Sequence, residues 1–391
     1  MSKKIAILGS TGSIGLTTLD ILNKNKKTFK VELLSTNKNI KRIKKQIKIF
    51  KVKNIIIHDE KIFYKNRLFF KKSNINVYQN IADFRKKYKK RLDYSMCAIT
   101  GLNGLESTLE IIQSTKRIAI ANKESIICGW NLINDRLKKY KTKFIPIDSE
   151  HFSIFELIKN DNIENIKKIY ITASGGPFLN IKKSKLSKFI PKNAIKHPTW
   201  KMGKKISIDS STLINKIYEL IEAKKIFNLD YNKFQIIIEP TSYVHGIVEF
   251  YNGICKILTH PTSMEIPIYN SLLFNKKILK ISENFEFNKM NNLNFQKIES
   301  NKFPVFKILK KLSNTDSLYE TVLVTANDVL VDLFLKKKIK FYDIYKILNQ
   351  ILDLKEYKRY KILKPKNLNQ ITKLSKNVRL KTLTLSVQSR V

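Results

Sequence analysis

The sequence is short of cysteine, of acidic residues and of long apolar runs. Its three cysteines, Cys97, Cys128 and Cys255, lie far apart and form no C-x-x-C pair. That spacing argues against a disulfide framework and against a zinc site, and leaves buried free thiols as the expectation. No apolar run approaches the roughly 20 residues that span a bilayer. The N-terminal stretch MSKKIAILGSTG enters a strand pattern and a glycine turn directly, where a signal peptide would place an apolar stretch and a small-residue cleavage site. A soluble, cytoplasmic protein is expected. Asp and Glu number 32 against 75 Lys and Arg, a formal net charge of +43. Such a charge admits nucleic-acid binding. There is, however, no Arg-rich arm and no RNA-binding aromatic signature, and lysine is spread along the whole chain with Ile and Asn. All three residues have A/T-rich codons, so compositional bias accounts for the excess. Neither a specific nucleic-acid partner nor a membrane partner is expected, although weak, salt-sensitive attraction to polyanions fits the charge.

What is present has a globular balance, 43% hydrophobic and 27% charged, over 391 residues. That length implies two or three domains. The first part alternates strand patterns at 4–8, 31–35, 54–58, 96–100, 118–121 and 144–147 with helical patterns, including 13–23 and 40–50. Such alternation predicts a parallel, doubly wound sheet. A second unit begins near Asp148, with strands at 168–173, 234–239 and 244–250 and a helix at 211–227, the pattern of a mixed α+β domain. Residues 274–299, rich in Asn and Lys, read as a long connection. Beyond them 306–313, 318–336 and 342–354 look helical, a small C-terminal helical domain. The expected fold class is α/β: a Rossmann-like N-terminal domain (1–148), an α+β catalytic domain (149–273), a linker (274–300) and a helical C-terminal domain (301–391). No internal repeat is visible.

Gly9-Ser10-Thr11-Gly12-Ser13-Ile14-Gly15 follows a strand and opens a helix. Glycines there let a turn approach a pyrophosphate, while the helix N-terminus offers free N–H groups and a positive dipole end. A tight turn without a ligand is the plain alternative. The next strand ends Ser35-Thr36-Asn37-Lys38-Asn39, without the acid that an NAD enzyme places on its ribose hydroxyls. A cation with hydroxyl and amide groups suits a 2′-phosphate, which favours NADP, although a lysine is unremarkable in so lysine-rich a chain.

Asp148-Ser149-Glu150 is expected to end a strand, where residues two apart face one side and two carboxylates can meet one hard cation, Mg²⁺ or Mn²⁺. Thr172-Ala173-Ser174-Gly175-Gly176-Pro177-Phe178 offers N–H and hydroxyl donors to an anion. His197-Pro198-Thr199-Trp200-Lys201-Met202-Gly203 reads as a loop that can cover a ligand. In Asp209-Ser210-Ser211-Thr212-Leu213-Ile214-Asn215-Lys216-Ile217-Tyr218-Glu219, Ser210 or Ser211 is expected to cap a helix, with Asn215, Lys216 and Glu219 on neighbouring positions. A solvated polar face is the plain alternative. His58, His245 and His260 read as structural.

Taken together and in order, GSTGSIG, ANKES (121–125), DSEH (148–151), SGGPF, HPTWKMG and DSSTLINK with Glu219 resemble the 1-deoxy-D-xylulose 5-phosphate reductoisomerase family. The resemblance is specific from Lys4 to about Phe227 and fainter beyond, where Thr325-Ala326-Asn327-Asp328 is similar to a family A-N-E block. It implies NADPH contacts at Thr11, Gly12, Ser13, Ile14, Asn37, Lys38, Asn39, Asn122, Glu124 and Gly203. It implies a divalent metal on Asp148, Glu150 and Glu219. Substrate contacts would fall at Lys123, Ser149, Glu150, Ser174, His197, Ser210, Asn215, Lys216 and Glu219. Lys123, Asp148, Glu150, His197 and Glu219 would carry catalysis, and His197 and Trp200 would lie on a closing loop. The implied reaction rearranges and reduces 1-deoxy-D-xylulose 5-phosphate to 2-C-methyl-D-erythritol 4-phosphate for isoprenoid synthesis, in a homodimer. The chain departs from the family pattern at Ile217, where a glycine is usual, at Glu239 in place of a histidine, at Glu265 in place of an arginine, and at Asn37 in place of a glycine. Two rival readings stay open: another NADP-dependent oxidoreductase, such as a semialdehyde dehydrogenase, which needs a nucleophilic cysteine; or a retired enzyme fold kept as a polyanion-binding surface.

Overall fold

The computed structural model describes residues 2–181, 189–195, 199–200, 202–273, 285–299 and 302–388. The chain divides into two compact units. One comprises Met1–Ile126, Leu132–Phe152 and Met264–Glu283; the other comprises Ile127–Asn131, Ser153–Ser263 and Asn284–Val391.

The first unit is built on seven parallel strands: β1 (Lys3–Leu8), β2 (Phe29–Thr36), β3 (Asn54–Ile57), β4 (Asn76–Tyr78), β5 (Tyr94–Cys97), β6 (Arg117–Ile120) and β7 (Lys143–Ile145). Their spatial order is β4-β3-β2-β1-β5-β6-β7. Parallel strands are covered by helices on both faces, so they read as continuous apolar runs. Ile5, Ala6, Ile7 and Leu8 are all fully buried. Strand order reverses at β1 and β5, which creates a crevice beyond the carboxyl ends of those two strands. The glycine loop after Leu8 stands at that place. A late segment completes this unit. Ile268, Tyr269 and Leu272, in and after the helix Glu265–Ser271, belong to the same buried cluster as Leu19, Ile21 and Leu22 of the helix Ser13–Lys24. Tyr94 and Ser271 share a hydroxyl–hydroxyl hydrogen bond of 2.7 Å.

In the second unit a four-stranded sheet has the order β11-β10-β8-β9, from β8 (Ile166–Ala173), β9 (Phe234–Ile238), β10 (Val244–Phe250) and β11 (Cys255–Thr259). β8 and β9 run parallel, and the other pairs are antiparallel. Its apolar face packs Ile169, Ile171, Ile236 and Val248 against Leu220, Ala223 and Phe227 of the helix Ile214–Phe227. The C-terminal part is helical, with Tyr319–Leu335, Phe341–Asp353 and Leu368–Gln388 as its main members. Both sheets and the helical region match the expected class.

Details depart from the sequence reading. The segment 306–313 forms a 3-10 helix, Pro304–Lys311. The helix expected over 211–227 is two helices, Lys204–Ser211 and Ile214–Phe227, broken where Leu213 takes a left-handed φ of 60°. Ser210 and Ser211 therefore end one helix and do not cap the next. Part of the expected connection at 274–299, namely 274–284, lies outside the described residues. Among the described residues no helix is long and apolar enough to cross a membrane.

Candidate functional site

In the first unit the three glycines of the opening loop have different tasks. Gly9 has φ +82°, and a Cβ there would stand 2.5 Å from the Ala98 carbonyl oxygen; at Gly15 a Cβ would stand 2.5 Å from the Gly9 oxygen. Those two glycines serve the turn and the packing of helix on strand. Gly12 would meet only the Gly9 oxygen, at 3.5 Å. Among the described residues neither conformation nor packing demands a glycine at Gly12, and the missing side chain leaves room for a ligand to approach the backbone there. The loop is held from below. Gly9 N–H donates to Ser35 Oγ (2.8 Å), and the Ser10 hydroxyl donates to Gln46 Oε1 (2.8 Å). Thr11 and Thr36 hydroxyls meet at 3.0 Å. Ser13 and Ile14 begin the helix.

At the end of β2, Asn37, Lys38 and Asn39 are exposed. Asn39 caps the helix Ile40–Phe50 by accepting from Arg42 N–H at 3.0 Å. Two groups that sequence reasoning missed stand here. Arg42 Nη1 donates to the Thr11 carbonyl (2.9 Å), which brings a guanidinium to the glycine loop. Asp59, from beyond β3, pairs with Lys38 at 3.3 Å. The contiguous stretch 35–39 carries no acid, but a neighbouring strand's end supplies one. Spacing along a single strand cannot reveal this.

Asn122, Lys123 and Glu124 open the helix Lys123–Lys139. Asn122 Oδ1 accepts from Ser125 N–H (2.6 Å), while its amide donates to the carbonyls of Ile99 (2.6 Å) and Gly101 (2.9 Å). Its side chain thus clasps the loop after β5. Lys123 Nζ lies 2.6 Å from Asp148 Oδ2. His151 Nδ1 lies 3.5 Å from the same oxygen, so the histidine of the D-S-E-H block belongs to this group. Ser149 donates to Glu150 at 2.5 Å. The D-S-E triplet does not end a strand. β7 stops at Ile145, before Pro146, which has no N–H for a ladder. The helix Ser149–Ile158 then starts, with the Asp148 carbonyl accepting from Phe152 N–H at 2.8 Å. Asp148 directly precedes that helix and Glu150 lies in its first turn, so the two carboxylates do not share one face of an extended segment.

In the second unit the helix Ile214–Phe227 brings Asn215 and Lys216 onto one buried carboxylate. Glu219 is 1% exposed, accepts from the Asn215 amide and pairs with Lys216 Nζ at 2.5 Å. The solvated-face alternative is thereby removed. Gly175 and Gly176 have φ of +80° and +67°, and Gly176 N–H donates to Ser174 Oγ at 3.1 Å. A Cβ on Gly176 would stand 2.8 Å from the Ser210 carbonyl oxygen, so the Ser174 loop lies directly against the end of the helix Lys204–Ser211. Gly203 caps the other end of that helix, and among the described residues nothing stands within 4 Å of where its Cβ would be. His197 lies outside the described residues. Thr199 meets the Ser242 hydroxyl at 3.1 Å, and the Trp200 ring stands edge-on to His245 at 6.0 Å.

The three histidines read as structural are inward-facing. Burial pushes His58 down to about 4. His245 and His260 stack at 3.6 Å, and both are buried. The cysteines give no support to a thiol nucleophile: burial pushes Cys97 up to about 12, and Cys128 is also buried. Cys255, expected to be buried, is exposed on β11. Two of the departures, Glu239 and Glu265, have local explanations; nothing in the structure explains Asn37. Glu239 is fully buried, and its carboxylate accepts from the N–H groups of Thr241 (2.9 Å), Tyr243 (2.9 Å) and Val244 (3.2 Å), clasping the turn that leads into β10. Glu265 pairs with Lys24 at 3.0 Å. Ile217 is fully buried.

A doubly wound sheet with a glycine loop at its switch point, joined in one chain to a unit holding a buried carboxylate–amide–ammonium cluster, has the architecture of the α/β nucleotide-binding class of proteins. Three family models match the chain in sequence: 1-deoxy-D-xylulose 5-phosphate reductoisomerase over residues 5–129, and two C-terminal domains of that enzyme over 144–227 and 260–381. A reductoisomerase of this name from Pelagibacter ubique is 52% identical over 98% of this chain and 100% of its own length. One from a Sulfurihydrogenibium species is 37% identical over 91% of this chain and 92% of its own. A solved structure of the Zymomonas mobilis enzyme in complex with NADPH superposes with a TM-score of 0.87 at 30% identity, covering 99% of each chain. Another, in complex with NADPH, fosmidomycin and magnesium, has a TM-score of 0.89 at 29% identity over 99% of this chain and 98% of that one. The chain belongs to the 1-deoxy-D-xylulose 5-phosphate reductoisomerase family.

Proposed function

We propose that the protein converts 1-deoxy-D-xylulose 5-phosphate to 2-C-methyl-D-erythritol 4-phosphate, with NADPH as reductant and Mg²⁺ or Mn²⁺ as cofactor, in isoprenoid biosynthesis. The observation that carries this reading is the buried Glu219 clasped by Asn215 and Lys216, within a chain that matches the family along nearly its whole length. An all-oxygen donor set of Asp148, Glu150 and Glu219 suits a hard divalent cation. Bound there, the cation supplies polarisation of the substrate's carbonyl and hydroxyl oxygens.

The chain's own residues bind and orient. Thr11, Gly12, Ser13 and Ile14 take the pyrophosphate side of NADPH, and Asn37, Lys38 and Asn39 its adenosine phosphate; Asn122, Glu124 and Gly203 contribute further contacts. Ser174, Ser210, Asn215 and Lys216 take the substrate phosphate, whose remote binding energy serves the reacting centre. Lys123 and Ser149 meet the substrate's oxygens beside Asp148 and Glu150. His197 and Trp200 cover the bound substrate. Of the stretches read from the sequence, 1–148 serves the nucleotide, 149–273 the metal and substrate apart from the helix Glu265–Ser271, which belongs to the first compact unit, and 301–391 follows a linker at 274–300. The family match of a separate C-terminal domain over 260–381 favours an individual C-terminal module.

The protein acts as a cytoplasmic homodimer. β11 is a sheet edge that exposes Ile257, next to exposed Tyr251 and Ile254. An apolar edge of this kind invites pairing with a second copy. The deciding experiment is NADPH oxidation with 1-deoxy-D-xylulose 5-phosphate, with and without Mg²⁺ or Mn²⁺. Turnover that requires both substrate and metal is expected, and metal-independent oxidation or none at all would refute the reading.

A further inference from the structure

The block Thr325-Ala326-Asn327-Asp328 has no part in the site as described, yet it engages the helix that ends in Ser210. Asn327 is fully buried, and its amide donates to Asp209 Oδ1 at 2.7 Å; Asp209 is 3% exposed. The next residue, Asp328, pairs with Lys205 Nζ at 2.6 Å. Lys205 and Asp209 are four apart on the helix Lys204–Ser211, and so share a face. Two successive residues of the helix Tyr319–Leu335 therefore hold that face at points about 6 Å apart along its axis. One contact would leave the short helix free to turn about it; two fix its rotation. On the other side the Ser210 carbonyl lies where a Cβ on Gly176 would approach to 2.8 Å. Ser210 is thus set between a glycine loop with no slack and the anchored Asp209.

The same helix also holds the other site-bearing helix. Glu320, seven residues before Asn327 and hence on the same face, pairs with Lys225 of the helix Ile214–Phe227 at 2.7 Å. One strut grips both the helix carrying Glu219 and the helix carrying Ser210.

We infer that Asn327 is a positioning residue for the substrate phosphate, acting through Asp209 on Ser210. The inference rests on the reading of Ser210 as a phosphate contact. Asparagine suits the task because a buried carboxylate needs a donor. Aspartate at 327 would set acid against acid, and alanine would remove a hydrogen bond to a charged group.

The test compares Asn327→Asp, the exchange Asp209→Asn with Asn327→Asp, and Ser210→Ala. It measures KM for 1-deoxy-D-xylulose 5-phosphate and for NADPH, Ki for inorganic phosphate, kcat and melting temperature. Asn327→Asp is expected to raise substrate KM and phosphate Ki together by about ten- to a hundredfold. The KM for NADPH should stay near wild type, and the exchange, which restores an amide–carboxylate pair, should recover most of the loss. A substrate KM unchanged in folded Asn327→Asp overturns the proposal, as does a loss that spreads equally to NADPH and follows melting temperature. If Asn327→Asp does not fold, the exchange decides alone: near-wild-type phosphate Ki supports the role, and a failed or weak binder refutes it. A raised Ki in Ser210→Ala beside an unchanged one in Asn327→Asp removes only the role of Asn327. An unchanged Ki in Ser210→Ala removes the phosphate reading of Ser210, and this inference with it.

Discussion

Glu219 is a carboxylate with almost no exposure, engaged by an amide and an ammonium from its own helix. Glu219→Gln keeps the shape and removes the charge that the proposed divalent cation would need. It should reduce turnover to background while leaving NADPH affinity, measured by fluorescence titration, near wild type; an equal loss of cofactor affinity would contradict the assignment. Ile217, two positions before it, poses a different question. Its side chain is fully buried, so neighbours have accommodated the branched residue. Ile217→Gly should leave a void and weaken the helix, costing about 3–6 kcal/mol in all, with no gain in kcat/KM. Calorimetry and steady-state kinetics check both, and a faster enzyme of unchanged melting temperature would show the isoleucine to be a defect. Glu239 shows the same accommodation: a residue that looks like a lost histidine is the acceptor for three backbone N–H groups.

Among the elements, the helices Ile214–Phe227 and Tyr319–Leu335 are joined by Lys225, 2.6 Å from Asp316 and 2.7 Å from Glu320. Burial works against the ammonium, but Glu320 and Asp316 outweigh it and hold Lys225 above the ordinary lysine value of 10.5. Its folded value being raised, the stabilisation is fully present below that ordinary value and is lost as pH rises through the folded one. Lys225→Met should cost about 3–5 kcal/mol at neutral pH, because it strands a buried carboxylate. On the alkaline side, the wild type's advantage over Lys225→Met, measured by urea unfolding, should shrink only above about pH 10.5, and on the acid side it should shrink as the raised Glu320 takes up its proton; a gap that closes between pH 7 and 9 would contradict this. Such pairings show where sequence reading stops. The helix Ile40–Phe50 and the strand Val244–Phe250 are read correctly to the residue, since hydrophobic period and capping are local signals. The segment carrying Asp148 and Glu150 is misplaced, because a three-residue strand stopping before Pro146 has no pattern long enough to read. Arg42, Asp59, His151 and Asn327 matter through partners that chain order alone does not disclose.

For the molecule as a whole, the edge strand β11 bears on assembly. Ile257 is 46% exposed, between Lys256 and Leu258 of that edge. A charge placed there hinders edge-to-edge pairing. If the proposed homodimer forms through this edge, the wild type should sediment as a dimer at micromolar concentration and Ile257→Glu as a monomer; an unchanged Ile257→Glu dimer would place the interface elsewhere, and a monomeric wild type would refute the homodimer. The glycine loop after β1 and the order of the sequence blocks are legible along the chain because each is a short contiguous stretch. The division into units is not, because residues 264–283 return to the first unit after the intervening stretch.

That return has a consequence for synthesis. The helix Glu265–Ser271 supplies Ile268 and Tyr269 to the first unit's core, and Ser271 meets Tyr94 across 177 positions. While the chain emerges from the ribosome, the parallel sheet can gather its strands, but the ground around Leu19, Ile21 and Leu22 stays uncovered until more than 270 residues have been made. The N-terminal unit is consequently a late finisher despite being the first translated, and apolar surface exposed in the interval is where association begins. A fragment ending at residue 152 should bind a hydrophobic dye and aggregate, and adding a peptide of residues 264–273 should suppress both. A soluble, dye-silent fragment would show that the sheet closes without its last helix.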